Sequence, residues 1–201
     1  MNIRSILGFL PLILFGFVGH LAGAGAVGWV ALAAAALGLG VAALGGRAGL
    51  NAVSISSTVV LAGLGITALT AGTSAATFVA AYGTGVLALL VGLTMLATVT
   101  TVPFTEQSAR ASVPKQYWDN PMFRAVNRRI SLAWGLATIG CGLSRFLYVA
   151  VEGANPAKTT ALGLLIGFGV PAALCYLAFR YTIHSSKGAR ARVAGAHQPT
   201  Q

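Results

Sequence analysis

The chain has 201 residues, of which 56% are hydrophobic and only 8% charged, with a net charge of +10 and a mean hydropathy of +0.81. Soluble domains carry about 25% charged residues, so this composition excludes an ordinary soluble domain and predicts a protein embedded in the lipid bilayer. The basic residues are not interleaved with aromatic residues on a soluble module, which excludes nucleic acid as a partner and favours anionic lipid headgroups.

The apolar segments predict an all-α fold, a polytopic membrane bundle of about six transmembrane helices. A spanning helix needs about 20 apolar residues. The predicted spans are about 5–21, 27–45, 52–71, 76–101, 130–151 and 159–180. The first span contains Pro11, which membrane helices tolerate, and we expect it to be retained because the second span follows directly. The first 180 residues thus form the membrane domain, and residues 181–201 are predicted to be a basic, disordered tail.

A polar stretch over residues 103–129, here called the island, separates the fourth and fifth spans. It contains Arg110, Lys115, Arg124, Arg128 and Arg129. Loops rich in Lys and Arg face the cytoplasm, so the island is predicted to be cytoplasmic. With six spans, Arg4, Arg47 and the tail then lie on the same side, and both termini are cytoplasmic.

Local signals inside the island predict two helices. Thr105 is positioned to cap a short helix whose first turn holds Glu106. Trp118 belongs to a run of alternating aromatic and basic residues, which is typical of an amphipathic segment lying at the membrane surface. Asp119-Asn120-Pro121 is a helix start, and this second helix is predicted to continue through Asn127 into the fifth span.

The groups that could support chemistry are few and isolated. The carboxylates are Glu106, Asp119 and Glu152, and the histidines are His20, His184 and His197. Paired carboxylates and closely spaced His or Cys ligands are the usual materials of acid–base and metal sites, and neither pattern occurs. We therefore predict no catalytic residue, no metal ligand and no cofactor. Cys141 and Cys175 are interpreted as small packing residues.

Arg145 is the one charged residue in the interior of a predicted span, since Arg180 is the last residue of the sixth span. It lies about two turns before the outer end of the fifth span, seven residues before Glu152. A charge within a span is costly unless it is paired or reaches the headgroups. We expect it to pair with Glu152, to bind a carbonyl at a helix end, or to extend to the headgroups. The alternative is that Arg145 lines a cavity or contacts a substrate.

Small and hydroxylated residues in the spans allow two interpretations. Gly163 and Gly167 form a GxxxG pattern, which we interpret as general packing within one bundle. The Ser and Thr residues of the third and fourth spans could line a polar path. Such hydroxyls more often bond to a carbonyl of their own helix or to a neighbouring helix.

Two blocks of this sequence resemble the bacterial intracellular septation protein A family. They are Phe9-Leu10-Pro11-Leu12-Ile13-Leu14-Phe15 near the start and Phe123-Arg124, Asn127, Leu132-Ala133-Trp134, Leu136, Cys141-Gly142-Leu143 and Tyr148-Val149-Ala150, with Pro103 and Glu106 similarly placed in the preceding loop. The resemblance covers residues 9–15 and 103–150, and the spans between them match only in hydropathy. It implies a multi-pass protein of the bacterial inner membrane, linked to cell division and envelope synthesis, with no settled catalytic activity.

Three hypotheses for function follow. The first is a non-enzymatic envelope or septation protein that acts through helix packing and its basic loop, with other membrane protein subunits as partners. The second is a small transporter or channel subunit whose path includes Arg145, which a polar cavity would favour. The third is a membrane enzyme acting on a lipid or isoprenoid, which a groove beside Glu106 and Asp119 would favour. The candidate functional residues are Arg145, Glu152, Glu106, Asp119, Trp118 and Asn127.

Overall fold

The computed structural model describes residues 10–44, 51–110, 113–153 and 160–195, and every regular element within these ranges is a helix. The predicted all-α fold is confirmed. The helices are α1 (Leu10–Leu44), α2 (Ala52–Thr70), α3 (Thr73–Thr98), α4 (Phe104–Ala109), a 3-10 turn (Lys115–Tyr117), α5 (Pro121–Glu152), α6 (Ala161–Leu164), a π-helical turn (Leu165–Gly169) and α7 (Val170–Gly195).

Five helical segments among the described residues are long and apolar enough to cross a membrane. They are Leu21–Leu44, Ala52–Thr70, Thr73–Thr98, Pro121–Glu152 and Ala161–Lys187. A membrane helix bundle is therefore supported. Residues 5–9 of the first predicted span lie outside the described residues, and the remainder of that span belongs to α1.

Helix α1 is broken into two arms at Gly23. This glycine has φ +63° and ψ −176°, a backbone conformation that L side chains rarely adopt. The arms fold back on each other, because a Cβ placed on Gly38 would lie 3.4 Å from Cγ of Pro11. The chain therefore reverses direction at this single glycine. Phe15 on the first arm is buried against α3, with its ring 3.2 Å from the Cβ position of Gly83.

Helix α2 begins and ends at well-defined caps. The Asn51 side chain accepts hydrogen bonds from the amides of Val53 and Ser54, and the Ser54 hydroxyl accepts from the Asn51 amide, which completes a capping box. At the other end, Gly72 has φ +85° and turns the chain into α3. Helix α3 begins at the next residue, Thr73.

Glycine pairs seven residues apart bring α3 and α5 into close contact. A Cβ on Gly92 would lie 3.1 Å from the carbonyl oxygen of Gly135, and a Cβ on Gly142 would lie 3.0 Å from that of Gly85. The helices run antiparallel, so the two pairs form successive layers one heptad apart. Small residues at such positions let backbones approach where lipid offers no hydrophobic drive to pack.

The last two membrane segments extend the bundle and correct one prediction. Helix α5 begins at Pro121 with Asn120 as its N-cap, as predicted, and runs through Asn127 to Glu152. Helix α7 continues to Gly195, so residues 181–195 are helical and the prediction of a disordered tail is wrong for them. Ala, Arg and Lys are good helix formers, and basic residues favour a helix C-terminus, which explains the continuation. Residues 196–201 lie outside the described residues.

Candidate functional site

Arg145 is bound by backbone carbonyls of the neighbouring helix α3. Its Nε donates to the carbonyl oxygen of Ala81 at 2.9 Å and its Nη2 to that of Ala80 at 3.5 Å. The guanidinium carbon also lies 4.8 Å from the ring centroid of Tyr148. The approach depends on Gly85, whose Cβ would lie only 3.3 Å from Cβ of Arg145. Arg145 therefore joins α5 to α3.

Glu152 has different partners from those expected. It accepts a hydrogen bond from the Thr160 amide at 2.8 Å and another from the Thr160 hydroxyl. Seven residues of helix separate it from Arg145 by about 10.5 Å along the axis, whereas the α3 carbonyls are within reach. The structure thus assigns a carbonyl contact to Arg145 in place of the Glu152 pair. Glu152 instead holds the end of α5 to the start of α6, where Thr160 is the N-cap.

The short helix α4 is docked on α5 by the hydroxyl groups of Thr105 and Ser131. The Thr105 hydroxyl donates to the carbonyl oxygen of Asn127 at 2.8 Å and lies 2.8 Å from the Ser131 hydroxyl. Asn127 and Ser131 are both buried, and the Asn127 amide donates to the carbonyl oxygen of Phe123 at 2.9 Å. The prediction that Thr105 caps α4 is wrong, because Pro103 occupies the N-cap position. Thr105 is instead the main polar contact between these helices.

The remainder of the island is tied together by an ion pair and a tryptophan. Glu106 is only 2% exposed, and its Oε1 accepts from Arg110 Nη2 at 2.6 Å and from Nε at 3.1 Å. The Arg110 guanidinium carbon lies 5.0 Å from the Trp118 ring centroid, and Trp118 Nε1 donates to the carbonyl oxygen of Val113 at 2.9 Å. Glu106 therefore fixes Arg110 at the end of α4, and Trp118 contacts both Arg110 and Val113.

We call residues 104–110 and 113–129 of the island the basic platform. Its exposed basic residues are Lys115, Arg124, Arg128 and Arg129. Asp119 pairs with Arg124 at 3.0 Å, but both side chains are mostly exposed, and such surface pairs contribute about 0–1 kcal/mol. The platform consequently presents a positive surface at the end of the bundle where α3 ends and α5 begins. Contact of its aromatic residues with a bilayer stays a prediction.

An open groove of about 720 Å³ lies between α2 and α3. It is lined by Ala52, Ile55, Ser56, Val59, Val60, Leu90, Leu93, Thr94 and Ala97. The Ser56 hydroxyl donates to the carbonyl oxygen of Val53 at 3.1 Å, and the Thr94 hydroxyl donates to that of Leu90 at 2.9 Å. The groove therefore has an apolar character, and Arg145, Glu106 and Asp119 do not line it.

Metal-ligating residues are dispersed through the part of the chain that the structure describes. There, no group of three or more His, Cys, Asp or Glu side chains is close enough to hold a metal ion. The six candidate residues form three separate sets. Arg145 lies between α5 and α3, Glu152 lies at the α5–α6 junction, and the four others belong to the basic platform.

The sequence did not identify Thr105 and Ser131 as helix-docking residues or the glycine layers between α3 and α5. A signal for the layers was available, since glycines recur seven residues apart at 85 and 92 and again at 135 and 142.

No protein-family model matches this sequence, and it is not significantly similar to any curated protein or solved structure.

Proposed function

We propose that this chain is a non-enzymatic membrane protein that uses its basic platform as a docking surface in a cell-envelope or septation assembly. The link to septation comes from the sequence resemblance described above. On this proposal the protein resides in the bacterial inner membrane, contacts anionic headgroups, and is one subunit of a larger membrane assembly. The bundle serves to fix the platform at the membrane surface.

The observation that supports this proposal most directly is the way the platform is built. The Thr105 and Ser131 hydroxyls are consumed in joining α4 to α5, and Thr105 also donates to the backbone carbonyl oxygen of Asn127. Glu106 is consumed in a buried pair with Arg110. These contacts fix the position of α4 relative to α5. The basic side chains of the platform, Lys115, Arg124, Arg128 and Arg129, remain exposed. A fixed positive surface is suited to recognising acidic groups on lipids or on a partner.

The proposed orientation places the platform in the cytoplasm. Four exposed basic residues at one end of the bundle agree with the excess of Lys and Arg that marks cytoplasmic loops. We further propose that the two arms of α1 account for two spans, so that the membrane is crossed six times. Both termini then lie on the platform side.

The proposal is tested by removing the positive surface while keeping the fold. In a bacterium lacking its own copy of this gene, we expect defective division or envelope integrity that the wild-type chain restores. The variant Arg124→Gln/Arg128→Gln/Arg129→Gln should reach the membrane in normal amounts but fail to restore growth. A matched control is Arg180→Gln, since Arg180 is exposed on α7 and contacts only Tyr176 among the partners seen for it. Full rescue by the triple variant would contradict the proposal.

The alternatives make different demands on the structure. A transporter path through Arg145 needs a polar cavity at that residue, and the groove between α2 and α3 is apolar and lined by other residues. A lipid-directed enzyme needs carboxylates that face its substrate, and Glu106 is buried against Arg110. Asp119 is exposed and paired with Arg124. We therefore favour the docking protein over both.

A further inference from the structure

Two cysteines lie on neighbouring helices, and they are the only two in the chain. Cys141 belongs to α5 and is half-buried, whereas Cys175 belongs to α7 and is exposed. Both positions lie within segments apolar enough to cross the membrane. Neither cysteine takes part in the platform or in the Arg145 contacts, so the proposed function does not account for them.

The register of α5 against α7 brings the two cysteines to the same height. Trp134 Nε1 donates to the Thr182 hydroxyl at 3.0 Å, which fixes one layer of the antiparallel pair. Cys141 follows Trp134 by seven residues, and Cys175 precedes Thr182 by seven. Seven residues advance a helix by about 10.5 Å and return to the same face within about 20°. The layer after Trp134–Thr182 is therefore Cys141–Cys175.

Two further contacts between α5 and the last membrane segment agree with this register. One heptad beyond Cys141, Tyr148 packs on Gly167, whose Cβ would lie 3.0 Å from Cδ2 of the tyrosine. The Cys141 thiol faces α7, since it donates to the carbonyl oxygen of Pro171 at 3.8 Å.

The helices approach closely at this layer because a glycine adjoins Cys141. A Cβ on Gly140 would lie only 2.7 Å from Cδ1 of Leu174, so Leu174 fills the space that a side chain would take. A disulfide needs Cα atoms within roughly 7 Å of each other, and close helix approach is what brings them into that range. The exposure of Cys175 leaves the pair open to reagents dissolved in the lipid.

We propose that Cys141 and Cys175 are a redox modification site, an intramembrane dithiol that a lipid-soluble quinone oxidises to a disulfide joining α5 to α7. Two S–H bonds break and one S–S bond forms. The two electrons and two protons pass to the quinone oxygens, which gives the quinol. The product ties α7, which otherwise lies at the edge of the bundle, covalently to α5.

The test uses the full chain, purified under reducing conditions and placed in phospholipid nanodiscs. A fully substituted benzoquinone is added, because it has no free ring position to which a thiol can add. Free thiols are then counted by denaturing the sample and attaching a maleimide-linked polymer. We expect both tags to be lost together, with an intact mass lower by two hydrogen atoms and a peptide pair linked through Cys141 and Cys175.

A matched control keeps two thiols but moves one to another face of α7. In the variant Cys175→Ala/Leu177→Cys, the new thiol replaces a leucine that is 62% exposed and points about 160° away from position 175. Facing thiols react at a high effective concentration, so the native pair should oxidise at least roughly tenfold faster than the control. Equal rates, retention of both free thiols in the native chain, or disulfides formed only between chains would overturn the proposal.

Discussion

The glycine layers between α3 and α5 make a quantitative prediction for Gly92→Ala. The new Cβ would lie 2.7 Å from Cγ1 of Ile139, 3.0 Å from the Ile139 backbone nitrogen and 3.1 Å from the Gly135 carbonyl oxygen. Ordinary carbon–carbon contact begins near about 3.5 Å, so the shortfall at Ile139 is roughly 0.8 Å. A rotamer change can relieve the side-chain contact but not the two backbone contacts. The helices must therefore move apart.

Overpacking of this kind typically costs about 1–3 kcal/mol. The matched control is Gly63→Ala on α2, where a new Cβ meets nothing within 4 Å. Alanine is intrinsically favoured over glycine in a helix by up to about 1 kcal/mol, so the control should be neutral or slightly stabilising. Reversible unfolding of both variants in mixed micelles would measure the difference in free energy. If the two variants have the same free energy of unfolding, α3 and α5 do not pack as closely at Gly92 as described.

Three further substitutions test individual contacts. Arg145→Leu should fold and lose roughly 1 kcal/mol of unfolding free energy, because one interhelical contact in a membrane is worth about that much. Loss of function with unchanged stability would instead favour a contact between Arg145 and a substrate. Trp118→Ala should speed trypsin cleavage within the platform, while Tyr117→Ala, at an aromatic residue that is 47% exposed, should not; equal cleavage rates would mean that the tryptophan does not hold the loop. Thr105→Val should cost about 1–3 kcal/mol, because the buried Ser131 hydroxyl loses its hydroxyl partner and keeps only the longer bond from the backbone amide of residue 105. Adding Ser131→Ala should recover part of the loss, whereas a simple sum of the two losses would show that the hydroxyls are not coupled.

Composition and local signals were sufficient for the helices and several of their ends. The shortage of charge predicted membrane helices, because lipid requires backbone groups to be satisfied within each segment. Asn120 and Pro121 marked the start of α5 through their own backbone preferences. Such features depend on neighbours in sequence, and they can be read without knowing how the helices pack.

Contacts between helices could not be predicted in the same way. Thr105 carries a cap signal, but Pro103 takes the N-cap and the threonine turns to α5, which only the packing of α4 determines. Arg145 was placed correctly as a charge needing a partner, yet the partner is the Ala81 carbonyl on α3. Predicting which of these two groups binds Arg145 requires knowing how α3 and α5 are aligned. Gly85 allows the close approach of the two helices that brings Arg145 to the carbonyl.

Cysteine labelling of the two ends of the bundle tests the proposed orientation most directly. In a variant lacking Cys141 and Cys175, single cysteines would be placed at Ser74, near the start of α3, or at Gln116, in the basic platform; both positions are exposed. A membrane-impermeant maleimide applied to right-side-out vesicles should modify the Ser74→Cys chain only. The Gln116→Cys chain should react after the vesicles are opened. Modification of Gln116→Cys in sealed right-side-out vesicles would contradict a cytoplasmic platform and the docking function proposed for it.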